Sequence, residues 1–334
     1  MKPFARVAAI ALCVAFCGAV QAQSTRIDPW PRESDAADAP KPPPAPSPLA
    51  GLVGAYGPEA DPIYVLEHDG KLFAVRRHGT TRPVSKADFK RDAAGAGRAL
   101  TLAGETYPRL QLGPAAGTAQ LRVKPLRPVS TVLAESATQH PPTESGTFRP
   151  TDLVELVKVD PSIELDIRYA TTNNFLGSAF YSQARAFLQR PAAEAVARAS
   201  AALHEKGYGL LVHDGYRPWY VTKAFWDATP DNKKWLVANP ASGSKHNRGC
   251  AVDLTLYDLA TGKVVEMPST YDESTERAYA FYPGGTDLQR WHRALLRRAM
   301  EAEGFTVNPT EWWHFDYKDW KAYAIGNVRF EQIK

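Results

Sequence analysis

Cysteine is scarce in this chain of 334 residues: there are three, and two of them, Cys13 and Cys17, lie close to the start. Past that opening segment only Cys250 remains, so no disulfide within the chain can brace the fold. Stability has to come from an apolar core or from a bound metal. An excess of charge is also missing. The formal charge is +4, and Lys2 and Arg6 account for two of those charges, which leaves +2 once the opening segment is set aside. A balance this close to neutral gives no sign of a nucleic-acid partner. There is no glycine-rich phosphate loop, which removes the simplest nucleotide-binding reading, and no internal repeat. The apolar run Val7–Val20 falls short of the ~20 residues a membrane helix needs.

That run does fit another purpose. A short basic start, an apolar stretch and the small residues of Val20-Gln21-Ala22 make residues 1–22 a secretory signal peptide cut after Ala22. The expectation is therefore an exported, periplasmic protein with no transmembrane segment after cleavage. An uncleaved segment would act as an anchor. Cys13 and Cys17 follow Leu12 and Phe16 rather than small residues, which argues against a lipid anchor.

Residues 23–48 hold "PWPRESDAADAPKPPPAPSP", a proline-rich linker. Residues 49–123 change character. "IYVLEHDGKLFAV" places two β-prone runs about Asp69-Gly70, and "ALTLAGETYPRLQL" repeats the pattern with another glycine turn. This reads as a small all-β module, a half-barrel or a sandwich. His68, Asp69 and His78 are taken as turn and surface residues, and catalysis is not expected to need the module. Residues 124–150 read as a second linker.

From residue 151 to 334 the pattern is α+β. "SIELDIRYA" alternates like a half-buried strand, and Pro191 opens a helix that stops at Gly207. Asp287 is placed as the cap of a second helix ending near Gly304.

Three short stretches carry the chemistry. In "SKHNRGCAVD", His246 and Asp253 could be two metal ligands, with Arg248-Gly249 turning the chain between them. The same letters also fit a polar turn running into a buried strand, and the pair alone does not decide. Cys250 sits between two small residues and reads as a buried structural side chain. In "TEWWHF", Glu311 and His314 are three apart and would face opposite ways on a regular strand. They can share a site only if Glu311 lies in an irregular turn ahead of the strand. His314 would then be a third ligand and Glu311 a general base. In "HDGYRPW", Arg217 precedes a proline and could stabilise an oxyanion. His213 and Asp214 could support it or could simply be strand-end polarity. His292 reads as a surface or interhelical histidine.

"YATTNNFLG", "DGYRP", "SKHNRGCAVDLTLY" and "EWWHF" follow one another in this order, and together they resemble the zinc D-alanyl-D-alanine dipeptidases of the VanX type. The resemblance covers residues ~152 to 330 and not the β-module. It implies a Hedgehog/DD-peptidase-like catalytic domain with one Zn²⁺ per chain. It places His246, Asp253 and His314 on the zinc ligands, Glu311 on the base and Arg217 on the transition-state arginine. Tyr169, Ser244 and Asp272 fall on substrate-pocket positions, with Asp272 for the dipeptide's ammonium and Tyr169 and Ser244 for its far carboxylate. Lys245 could bind that carboxylate or stand in solvent. The implied substrate is a small dipeptide, with peptidoglycan fragments as further partners. Two alternatives stay open: a carboxypeptidase of the same fold that trims muropeptide tails, and a non-catalytic wall-binding protein.

Overall fold

The computed structural model describes residues 39–76, 81–111 and 121–334. The leader, most of the first linker and His78 lie outside the described residues. Among those residues, no helix is long and apolar enough to cross a membrane.

The first unit is one antiparallel sheet of seven strands between Gly54 and Leu110. Its hairpins form where the turn chemistry demands. Ile63–His68 pairs with Lys71–Arg76 through a two-residue loop, and both loop residues, Asp69 and Gly70, have positive φ (50° and 69°). That is the backbone a tight hairpin of matching twist requires. Gly97–Leu102 and Glu105–Leu110 repeat it through Ala103 and Gly104. Leu52, Tyr56, Ile63, Val65 and Leu100 fill the core of this unit and are almost wholly buried.

The second unit is α+β. Its main sheet runs in the order Phe305–Asn308, Glu311–Tyr317, Ala251–Asp258, Tyr208–Asp214, Glu164–Leu165, and Lys263–Val264 pairs with the strand Ala251–Asp258. All pairings are antiparallel except that of Glu164–Leu165, which lies parallel to Tyr208–Asp214. Two long helices, Arg190–His204 and Asp287–Ala302, pack against each other and the sheet. Pro191 stands in the first turn of one, where its missing N–H costs nothing. The cap of the other is Thr286, one residue before Asp287, and it forms a capping box with Gln289.

Three segments differ from the sequence reading. Only Glu164 and Leu165 of "SIELDIRYA" are strand, because the chain turns at Arg168–Ala170 and sends Tyr169 inward. Residues 124–150 are not a free linker. They hold the helix Val129–Ser136, whose Val129 and Val132 are buried in the core of the second unit. His292 is not a surface residue. It is buried between helix and sheet, with Nε2 3.2 Å from the Tyr208 hydroxyl and Nδ1 3.2 Å from the Glu266 carbonyl.

The two units are joined by a built interface. Leu66 bridges to Gly285, and the Glu67 N–H donates to the Gly285 carbonyl at 3.1 Å. The buried Glu67 carboxylate accepts from the Asp287 N–H at 3.2 Å, and Arg290 Nη2 donates to the Glu67 carbonyl at 2.7 Å. His68 Nδ1 stands 2.9 Å from the Asp287 carboxylate. Tyr64 packs edge-on against Tyr282 and donates its hydroxyl to Glu276. A free surface hairpin would satisfy none of these groups.

Candidate active site

Strand pairing places the site. Asp253 and His314 lie directly opposite each other on neighbouring strands, so their side chains share one face. His246 arrives from the turn His246–Arg248, which is closed by Gly249 at φ 66°. The left-handed backbone favours glycine there, and a Cβ would sit 2.6 Å from Leu153 Cδ2, which would have to shift.

One nitrogen of each histidine is already committed. His246 Nδ1 lies 2.8 Å from the Gly215 carbonyl, which can only accept, so Nδ1 carries the proton and Nε2 is bare. His314 Nε2 lies 3.0 Å from Asp316 Oδ1, which leaves Nδ1 bare by the same logic. Those two bare nitrogens are 3.1 Å apart. Asp253 Oδ1 stands 3.4 Å from the first and 3.0 Å from the second. It is buried and receives no well-aligned hydrogen bond, while Oδ2 accepts from the Tyr271 hydroxyl at 3.0 Å. With both rings neutral, three lone pairs converge on one point, and the donor set fits a metal ion. The electrostatics point the same way, toward positive charge between these groups. Burial works against charge on Asp253 and on His314. The two imidazoles nevertheless hold Asp253 far below the usual carboxylate range, and Asp253 and Asp316 lift His314 well above the usual imidazole range.

Glu311 stands beside this cluster, with Oε2 3.8 Å from His314 Nδ1 and accepting from Asn308 Nδ2 at 2.8 Å. It begins the strand Glu311–Tyr317 instead of preceding it. Pairing shifts from Val307↔Phe315 to Asn308↔Glu311, and that irregularity frees Glu311 from the alternation that would turn it away. Withdrawal from water raises its pKa, and Asp253 adds to the rise, against the two histidines. A carboxylate tuned upward is better suited to take up a proton.

Arg217 lies on the turn after the buried strand Tyr208–Asp214. Its Nε and Nη2 donate to Asp214 Oδ2 at 3.0 and 2.6 Å, and the guanidinium lies over the rings of Tyr169 and Phe225. Burial opposes its charge, and Asp214, Tyr181, Tyr169 and Asp253 together outweigh burial, so its pKa is raised. Asp214 in turn accepts from the Tyr181 hydroxyl at 2.7 Å and the Gly215 N–H at 2.9 Å. Asp214 is therefore a fully engaged support, whereas His213 faces Asp166 and stacks on Tyr271.

Tyr169 and Asp272 meet: the tyrosine hydroxyl donates to Asp272 Oδ2 at 3.2 Å. The structure brings these two side chains into contact, although the resemblance gave them to opposite ends of a dipeptide. Asp272 adopts φ 59°, a left-handed conformation that is costly for most residues other than glycine. Burial pushes its carboxyl up to about 7, with Asp253 and Glu311 adding to the shift. Ser244 is occupied locally, its Oγ accepting from the His246 N–H at 3.2 Å. Lys245 is partly exposed but not free, because it pairs with Asp316, the residue that orients His314. Cys250 is fully buried, and burial pushes its thiol up to about 12, so it is no ligand.

The sequence reading does not name Asn247, Asp316 or Tyr271 as site residues. Asn247 is fully buried and donates to the Arg217 carbonyl at 2.7 Å and to Thr222 Oγ1 at 2.8 Å. It thereby locks the His246 turn to the Arg217 turn. The only signal in the sequence was its position beside His246.

A cavity of about 650 Å³ reaches Glu311 at the edge of this cluster, with Tyr169, Asp272 and Trp313 also in its wall. The model of the M15 peptidase family described as D-ala-D-ala dipeptidase matches residues 149–332. The chain is 35% identical over 175 residues to the D-alanyl-D-alanine dipeptidase of Escherichia coli (strain K12), covering 52% of this chain and 89% of that one. It is 36% identical over 175 residues to the enzyme of the same name from Enterococcus faecium, covering 47% of this chain and 87% of that one. The corresponding figures for Streptomyces coelicolor are 30% over 175 residues, 47% and 87%. With its buried His-Asp-His cluster and this match over more than half its length, the chain belongs to the metal-dependent M15 peptidases, in the D-Ala-D-Ala dipeptidase family.

Proposed function

We propose that this protein is an exported, periplasmic zinc dipeptidase, of Hedgehog/DD-peptidase-like fold, that hydrolyses D-alanyl-D-alanine to two D-alanines in peptidoglycan turnover. The observation that carries the reading is the convergence of three bare donor atoms, from His246, Asp253 and His314, beside the Glu311 carboxylate. Two imidazoles and one carboxylate suit zinc, with a coordination position left for reaction. Zinc held there would polarise the scissile carbonyl and acidify a water.

The remaining work belongs to the chain. Glu311 takes the proton of the attacking water and delivers it to the leaving amine. Arg217, held rigid by Asp214, faces the negative charge that develops on the carbonyl oxygen. Asp272, oriented by Tyr169, receives the ammonium of the dipeptide. Ser244 and Lys245 act on the ligands, one by ordering the turn of His246 and the other by pairing with Asp316. The basic start, apolar run and Val20-Gln21-Ala22 site of the leader support export.

The test is stereochemical. The zinc-loaded protein should release two equivalents of D-alanine per D-Ala-D-Ala, while L-Ala-L-Ala should be cleaved at least a hundredfold more slowly. Equal turnover of the two enantiomers would remove the assignment of substrate.

A further inference from the structure

The turn that carries His246 is gripped from two sides. On one side Asn247 donates to the Arg217 carbonyl, and the Arg217 N–H donates to the His246 carbonyl at 3.1 Å. On the other side the grip runs through Arg248, two residues past the ligand. Its side chain is only 11% exposed, and a guanidinium withdrawn this far from water needs a counter-charge. Glu144 supplies it. Glu144 Oε1 accepts from Arg248 Nη2 at 2.5 Å, and Oε2 accepts from the Ile325 N–H at 2.7 Å. Among the described residues no other carboxylate pairs with Arg248.

One carboxylate thus ties the His246 turn to the last stretch of the chain. That stretch meets the turn a second time, where the Gly326 N–H donates to the Asn247 carbonyl at 2.8 Å. Arg248 also donates to the Tyr323 carbonyl and lies over the Trp320 ring, 5.6 Å from its centre. Lys245 faces the same ring at 5.2 Å and pairs with Asp316, which holds His314. Glu144 therefore stands at the outer end of a line of contacts that reaches two of the three converging residues. It lies outside the stretch that the family model matches, which begins at residue 149. The residues around it have no helix or strand of their own, yet both carboxylate oxygens are engaged and the side chain is 21% exposed.

Resting on the zinc dipeptidase reading above, we propose that Glu144 is a positioning residue for the metal: acting through Arg248, it holds the His246 turn in place. It touches neither metal nor substrate. The segment before residue 149 then belongs to the catalytic unit, not to a tether. A pair that only added stability would lower the unfolding midpoint and leave the zinc affinity of the folded protein alone.

The experiment measures the zinc Kd of the full chain by competition with a chromophoric chelator, and D-Ala-D-Ala kinetics at saturating zinc. Glu144→Ala should raise the Kd about tenfold, the low end of the 10–100-fold cost of losing a group that supports a ligand. Its kcat should fall with KM within about twofold, because Tyr169 and Asp272 are untouched; a misplaced reacting group costs rate first. Glu144→Gln, which keeps an acceptor oxygen of the same reach, should fall between. Arg248→Met should match Glu144→Ala, and the double variant should be no worse than the weaker single, since both act through one contact. Arg149→Ala removes an exposed bridge to Asp319 in the same region and should keep the wild-type Kd. A wild-type Kd in folded Glu144→Ala overturns the proposal alone. If that variant does not fold, a wild-type Kd in both Glu144→Gln and Arg248→Met overturns it. Additive losses in the double variant, or an equal loss in Arg149→Ala, also overturn it. A wild-type chain that binds no zinc overturns the metal reading and the proposal together.

Discussion

Glu311→Gln should lower kcat on D-Ala-D-Ala by about 10²–10⁴-fold, the usual contribution of a positioned general base, while metal content stays at the wild-type level. The substitution isolates one property. Glutamine has the shape of glutamate, and its amide oxygen can still accept from Asn308 Nδ2, which lies 2.8 Å from Glu311 Oε2. It cannot take up a proton at neutral pH. Glu311 is 3.8 Å from His314 Nδ1 and is not one of the three converging donors, so the ligand set survives. Steady-state kinetics together with metal analysis of the purified variant read both halves. A variant retaining half the wild-type rate would remove Glu311 from the mechanism.

Arg217 is expected to give the next largest effect, and two substitutions separate its roles. Arg217→Lys keeps a positive charge but loses the planar fork that holds Asp214 through Nε and Nη2. Its kcat should fall by about 10²–10³-fold, as when one oxyanion donor is lost, with a smaller change in KM. Arg217→Ala also leaves Asp214 buried and uncompensated, and Asp214 is wholly inaccessible to solvent. Breaking a buried pair from one side costs about 3–5 kcal/mol, so this variant should also unfold at clearly lower urea. A lysine variant with full kcat would show that Arg217 is only structural.

The two hairpins of the sheet unit were legible because Asp69-Gly70 and Ala103-Gly104 carry their conformation in two adjacent residues. The long helices were legible for a similar reason: Pro191, Gly207 and Gly304 mark their limits locally. His246, Asp253, Glu311, His314 and Arg217 could be named from short motifs, and the fold brings them to one place. What put Glu311 beside His314, however, was a register shift in pairing with Val307 and Asn308, and that depends on a partner strand. Asn247 and Tyr271 act through tertiary hydrogen bonds that no spacing encodes, whereas Asp316 stands two residues beyond His314 on one strand face, a spacing that does place the two side chains together.

The sheet unit shows the same limit more sharply. Its strands follow from local sequence, yet its contact with the peptidase domain joins Glu67 to Asp287 and Tyr64 to Tyr282, more than two hundred positions apart. From sequence the unit carried no chemistry and catalysis was not expected to need it. The structure puts Glu59, Tyr64 and Gln111 in the wall of the cavity that reaches Glu311. The helix Val129–Ser136 escaped in a similar way, because its two buried valines are meaningful only against the helix Trp219–Ala228 they pack beside.

The central claim is that His246, Asp253 and His314 hold one catalytic metal ion. The direct measurement strips the protein with a chelator, removes the chelator, and follows D-alanine release from D-Ala-D-Ala as zinc is added back. Activity should be absent at the start, rise in proportion to zinc and level off at one equivalent per chain. Full turnover in the stripped protein would contradict the claim.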